Sequence, residues 1–75
     1  MQADNHNKEN AMAALTGREC EVLGLLASGC TYERIACQLG VSLHTVTSHI
    51  KNAYRKLEVH TGPAAVMRAM RMGLI

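Results

Sequence analysis

Along this chain the apolar residues recur at helical intervals, and short polar breaks divide them into four stretches. Thr16-Gly17-Arg18-Glu19 opens the first as a capping box, in which the Thr hydroxyl accepts from the amide three residues on and Glu19 reaches back to the cap's own amide. That helix runs to about Ala27 and stops at Ser28-Gly29. Val22, Leu23, Leu26 and Ala27 share one stripe with Leu15 above it, while Leu25 lies further round and stays partly exposed. Thr31 caps the next helix, where Glu33 sits favourably against the helix dipole and Ile35, Ala36 and Leu39 form the buried stripe. Gly40 ends it, and after Val41 alone Ser42 caps a longer helix from Leu43 to Leu57. Val46, Ile50, Ala53 and Leu57 mark the inner face of that helix, with His49 and Tyr54 flanking the stripe. Glu58 to His60 forms a short link in which Val59 plugs the core. A fourth helix then runs from near Thr61 to Gly73, with Pro63 in its first turn and Ala65, Val66 and Ala69 facing inward. Leu74 lies beyond its end. Residues 1–14 are polar and lack a periodic face, so they read as a flexible N-terminal tail or linker, leaving 15–75 as one domain.

Composition agrees with an all-α fold. Seventy-five residues sit near the lower size for a core without disulfides or metal, yet 48% are apolar. Trp and Phe are absent, so the core is aliphatic, which suits helices better than strands. No apolar run approaches the ~20 residues needed to span a bilayer and no signal-peptide pattern is visible, so a soluble, cytoplasmic protein with no membrane partner is expected. Cys20, Cys30 and Cys37 form no C-x2-C pair, which argues for reduced thiols rather than a zinc site. A redox role for one of them stays open.

Charge is unevenly placed. Residues 1–39 hold Lys8, Arg18 and Arg34 against Asp4, Glu9, Glu19, Glu21 and Glu33, a net −2, whereas residues 40–75 hold Lys51, Arg55, Lys56, Arg68 and Arg71 against Glu58, a net +4. Such a footprint suits a polyanion, though charge alone does not choose between that and a solvated helix face.

The stretch from Tyr32 to Leu57 meets the steric demands of a helix-turn-helix. Ala36 falls where the two helices cross most closely, and Gly40 falls in the turn where a positive φ is needed. Ile35, Leu39, Val41, Val46 and Ile50 fill the wedge between them. The chain also carries Leu15-Thr16-x-Arg18-Glu19-x-Glu21-Val22-Leu23, Ala27-x-Gly29, Ile35-Ala36-x-x-Leu39, Ser42-x-x-Thr45-Val46-x-x-His49, Lys56-Leu57-x-Val59 and Ala65-Val66-x-x-Ala69-x-x-x-Gly73-Leu74. In these positions, spanning Leu15 to Ile75, it resembles the LuxR-type DNA-binding domain of bacterial transcriptional regulators. The resemblance implies four helices, the third a recognition helix and the fourth commonly used for dimerisation, usually at the C-terminus of a larger regulator. Gly62, where members often carry a polar or basic residue, and Tyr54, often aliphatic, depart from the pattern.

A major-groove helix offers a few outward side chains to base edges and its ends to phosphates. Thr47, Ser48 and Lys51 project from the outer side of the third helix, and the family's base-contacting positions fall on these three. Lys51 suits a guanine edge, while Thr47 and Ser48 discriminate less. Candidates for phosphate contact are Thr31, Tyr32, Ser42, His44, Thr45, Asn52, Arg55 and Lys56, from helix N-termini and cationic side chains. Ser42 and Thr45 are equally candidates for capping, and His49 favours a structural role between helices. Ala64, Met67, Met70 and Arg71 on the fourth helix suit a seam with a second copy, a core role being equally open for Met70.

These features point to a sequence-specific DNA-binding module of a transcription regulator, a homodimer on an inverted repeat. The competing reading is a protein-interaction module on the same fold. The sequence offers no Gly-rich phosphate loop, no paired carboxylates and no Cys–His pair with an orienting group, so no enzyme is expected. His44 and His49 lie about 140° apart around the helix at ~100° per residue and cannot share a metal. Neither cofactor nor small-molecule ligand is expected.

Overall fold

The computed structural model describes residues 15–75, which form four helices: α1 (Gly17–Ala27), α2 (Tyr32–Leu39), α3 (Leu43–Leu57) and α4 (Gly62–Arg71). The tail expected at residues 1–14 lies outside the described residues. Among the described residues there is no strand.

Each helix starts on a hydroxyl. Thr16, Thr31, Ser42 and Thr61 hold extended backbone, and their side chains accept from the amides of Glu19, Arg34, Thr45 and Ala64 at 3.0, 3.1, 3.0 and 3.3 Å. Each bond satisfies one of the amides that a helix start leaves without a partner. At α1 the capping box is complete, since Thr16 N–H donates to Glu19 Oε1 at 3.0 Å.

The turn between α2 and α3 depends on Gly40 at φ +69°, a left-handed conformation that glycine adopts without steric penalty. Val41 N–H then donates back to the Ala36 carbonyl at 3.0 Å, and Ser42 at once caps α3. Where α3 ends, Glu58 takes the same left-handed region at φ +59° without glycine's freedom.

Two packed clusters hold the helices, and α3 supplies both. Val46 and Ile50 in its first half join Val22 of α1 and Ile35 and Ala36 of α2. Ala53 and Leu57 in its second half join Leu15, Leu23 of α1, and Ala65 and Ala69 of α4. Tyr54 packs against both clusters. The four inward residues of α3 are at most 2% exposed, which fixes the rotation of the helix about its axis and so decides which side chains face out.

Several side chains expected inside sit differently, Leu26 among them, which is half-buried. Ala27 is exposed: it ends α1, beyond the reach of the neighbouring helices, at the rim of a notch. Val66 is half-buried, lining the same notch, while Ala65 beside it is fully enclosed. Leu39 and Val59 are also half-buried, each packed against the edge of a cluster. The fourth helix stops at Arg71, and Met72 and Gly73 form the turn that follows.

Candidate nucleic-acid interface

With its inner stripe buried, α3 turns Thr47, Ser48 and Lys51 outward, Thr47 and Ser48 half-exposed and Lys51 exposed. The Thr47 hydroxyl donates to the Leu43 carbonyl at 3.1 Å. With its proton engaged there, the hydroxyl can still accept from a base amino group but has no proton to give. Leu43 itself is 45% exposed, an apolar side chain at the leading end of the helix. Sequence reading assigned it no role; at ~100° per residue it lies about 20° from Ile50 around the helix, so its exposure follows from its place at the helix start rather than from its angle.

Ser42 and Thr45 form one unit: Ser42 Oγ accepts from the Thr45 amide at 3.0 Å and lies 2.9 Å from Thr45 Oγ1. A hydroxyl that accepts a cap bond can still donate its own proton, so capping and phosphate contact are compatible here. The same holds for Thr31 at the start of α2, where Tyr32 follows, half-buried. His44 is exposed on the first turn of α3, and His49 is half-buried. Further along, Arg55 donates to Asn52 Oδ1 at 3.2 Å, one turn setting the direction of the other on an exposed face.

Lys56 stands apart from the other expected phosphate contacts. Its ammonium donates to Glu19 Oε1 at 2.9 Å and Oε2 at 3.1 Å, and the pair is enclosed, with side chains 19% and 3% exposed. This cation ties the last turn of α3 to the capping box of α1, so its charge is neutralised within the fold. Glu19 carries two jobs, capping and ion pairing, of which only the first is legible in the local sequence.

Across the molecule, α4 exposes Met67 and Met70 at 55% and 59%. Met67, Ala64, Arg68 and Arg71 line a groove of about 200 Å³ with Val59. Three of the four residues expected at a seam, Ala64, Met67 and Arg71, line that groove, with Ala64 half-buried, and Met70 is exposed on the same helix.

A short angled helix pair with a hydroxyl-rich, cationic second helix is the architecture of a DNA-reading module. Residues 13–69 match the GerE family, described as bacterial regulatory proteins of the luxR family. The chain belongs to that family. It is 41% identical over 71 residues to the transcriptional activator protein CarR of Pectobacterium carotovorum subsp. carotovorum, covering 95% of this chain and 29% of that protein. It is 45% identical over 60 residues to the uncharacterized response regulatory protein YgeK of Escherichia coli strain K12, covering 80% of this chain and 41% of that one. This luxR-family chain therefore spans less than half the length of either relative. Its fold matches the structure of the transcription factor GerE with a TM-score of 0.77 at 38% identity, over 80% of this chain and 90% of that one. The protein thus contains a helix-turn-helix DNA-binding domain of the type found in transcription regulators. Among the described residues no helix is long and apolar enough to cross a membrane.

Proposed function

We propose that this domain binds a specific double-stranded DNA site as a homodimer, each copy placing α3 in the major groove of one half of an inverted repeat. The observation that carries this reading is the division of α3 by face: an inner stripe at most 2% exposed, and an outer face bearing Thr47, Ser48 and Lys51. Lys51 donates to a guanine edge, Thr47 and Ser48 meet neighbouring bases, and Leu43 offers an apolar surface to a thymine methyl. Thr31, Tyr32, Ser42, His44 and Thr45 meet phosphates near the starts of α2 and α3, where helix dipoles favour anions, and Asn52 and Arg55 meet them further along α3.

Pairing rests on the exposed methionines of α4. Ala64, Met67, Met70 and Arg71 form an adaptable, partly apolar surface that suits a second copy across a two-fold axis. Two such copies would set their recognition helices roughly 34 Å apart, one turn of DNA. Action in the cytoplasm of a bacterium follows from a DNA target.

Selection of bound duplexes from a random pool tests the reading, because it reports both the base preference and the half-site spacing. Enrichment of an inverted repeat is the expected result. Enrichment of a lone half-site would remove the dimer, and no enrichment would remove sequence-specific binding.

A further inference from the structure

The outer face of α3 carries two adjacent hydroxyls, and they are not equivalent. Thr47 Oγ1 donates to the Leu43 carbonyl at 3.1 Å, in a bond that lies exposed on the helix surface. Among the described residues Ser48 makes no bond of this kind, so its proton is free to turn toward a ligand. A hydroxyl has one proton and two lone pairs. With its proton given to Leu43, Thr47 meets a ligand as an acceptor alone. Branching at Cβ leaves a helical threonine two main rotamers, and a bond to the carbonyl one turn back helps to hold the one adopted here. Turning the proton outward forfeits that bond.

Lys51 has the opposite character, since an ammonium offers three protons and no lone pair. Leu43, Thr47 and Lys51 follow at four-residue intervals in α3. Each step is ~6 Å along the axis and ~40° around it, so the three form one row on the outer side of the helix. In order, the row offers an apolar side chain, an acceptor without a proton and a donor without a lone pair. In the major groove adenine N6 and cytosine N4 are donors, whereas guanine O6 and thymine O4 hold the corresponding places as acceptors. Facing adenine or cytosine, Thr47 accepts a proton and keeps its bond to Leu43. Facing guanine or thymine, two oxygens meet with no proton between them unless that bond is broken, a penalty that acts against the wrong base.

We propose that Thr47 is a specificity-determining residue: it selects an amino-bearing base, adenine or cytosine, on the strand it faces. That base lies within about two base pairs of the one read by Lys51, because ~6 Å along the helix matches roughly two steps of ~3.4 Å along the strand. This rests on the DNA-binding reading above and deepens it, naming the class of base at one position of the half-site.

The test runs selection from a random duplex pool with wild type and Thr47→Val, with thermal melting of both proteins alongside. Thr47→Val keeps the branched shape at a half-exposed position and replaces the hydroxyl by a methyl group. One position of the half-site should show adenine or cytosine with wild type and lose that preference with Thr47→Val. In the selected duplex that base is then replaced by its analogue without the amino group, purine for adenine or 2-pyrimidinone for cytosine. The replacement should weaken wild type about three- to tenfold more than it weakens Thr47→Val, the size of one modest hydrogen bond. The altered base pairing is common to both proteins and cancels in the comparison. Enrichment of guanine or thymine at the position that depends on Thr47 overturns the inference, as does an equal loss by both proteins on the analogue. A Thr47→Val selection identical to that of wild type overturns it too, while leaving reading by Lys51 intact. Failure of wild type to enrich any site is distinct from these, since it removes the DNA-binding reading itself and the inference falls with it.

Discussion

Removing the carboxylate of Glu19 probes the contact that ties the reading helix to the rest of the fold. Three hydrogen bonds from two groups converge on that carboxylate: Thr16 N–H at 3.0 Å on Oε1, and the Lys56 ammonium at 2.9 and 3.1 Å on the two oxygens. In Glu19→Ala the Thr16 amide loses its acceptor, at about 1 kcal/mol for a cap bond. The Lys56 ammonium, 19% exposed, loses the carboxylate it faces. Breaking a fully buried pair costs ~3–5 kcal/mol, and partial access to water lowers this to about 2–3. The sum is about 3–4 kcal/mol against roughly 3–9 kcal/mol expected for a domain of this size, so the variant should be marginally folded. Lys56→Met leaves the carboxylate buried with Thr16 alone and should cost about 2–3 kcal/mol, a fall in Tm of roughly 10–20 °C.

The decisive comparison pairs Lys56→Met with Glu19→Gln, which keeps an oxygen for the Thr16 amide and lacks the charge. Urea unfolding of the two single variants and the double should give a coupling of at least about 1.5 kcal/mol, the double being less damaged than the singles predict. The same variants discriminate a structural Lys56 from a phosphate ligand. If Lys56→Met leaves stability unchanged and lowers the salt dependence of DNA binding by about one ion, Lys56 faces the phosphates and the argument from geometry is refuted.

Three further outcomes follow from other parts of the molecule. Glu58 holds φ +59° at the end of α3, so Glu58→Gly should stabilise the domain by about 0.5–1 kcal/mol in urea unfolding, whereas Glu58→Ala should bring no gain. The Tyr54 phenol is raised from 10.0 to about 12, so its neutral form stabilises the folded state fully below pH 10 and loses that contribution as pH rises toward 12. A tyrosinate absorbance titration should show a late step that Tyr54→Phe removes, and the absence of any such late step would contradict the enclosed phenol. Lys51→Ala should cost ~1–3 kcal/mol of binding and relax preference at one base pair; a uniform loss on all duplexes would make Lys51 a phosphate contact.

What the sequence made legible was local. A hydroxyl four residues before an apolar stripe announces a helix start at Thr31, Ser42 and Thr61, and the capping box announces it at Thr16; all four caps lie where those patterns placed them. The inner face of α3 was equally plain, because Val46, Ile50, Ala53 and Leu57 sit on one side of any helix. Contacts between distant segments were not legible. The Lys56–Glu19 pair joins residues 37 apart, and it exists because α1 and α3 cross near the capping box, which no spacing rule reports. Ala27 and Val66 were misjudged for a related reason: angle around a helix tells which way a side chain points, but not whether a neighbour extends far enough to cover it. The left-handed Glu58 gave no signal, since a glutamate at a helix end resembles any other polar stop.

Assigning Lys56 to the core alters the electrostatics of the proposed complex. Of the cations after residue 39, Lys56 is neutralised by Glu19, and Arg68 and Arg71 belong to α4 beside Met67. That leaves Lys51 and Arg55 as the exposed charges of the reading helix. Counterion release scales with the phosphates neutralised; with Arg55 on a phosphate and Lys51 in the groove, one copy should show a log–log salt slope no steeper than about −2 and a pair of copies no steeper than about −4. A slope near −2 corresponds to weak attraction at physiological salt, which makes the second copy the main source of useful affinity. Titrating an inverted repeat and an isolated half-site over the same salt range measures both slopes. A half-site slope equal to that of the repeat would mean that one copy already makes all the ionic contacts, and pairing through α4 would then add no ionic contribution to affinity.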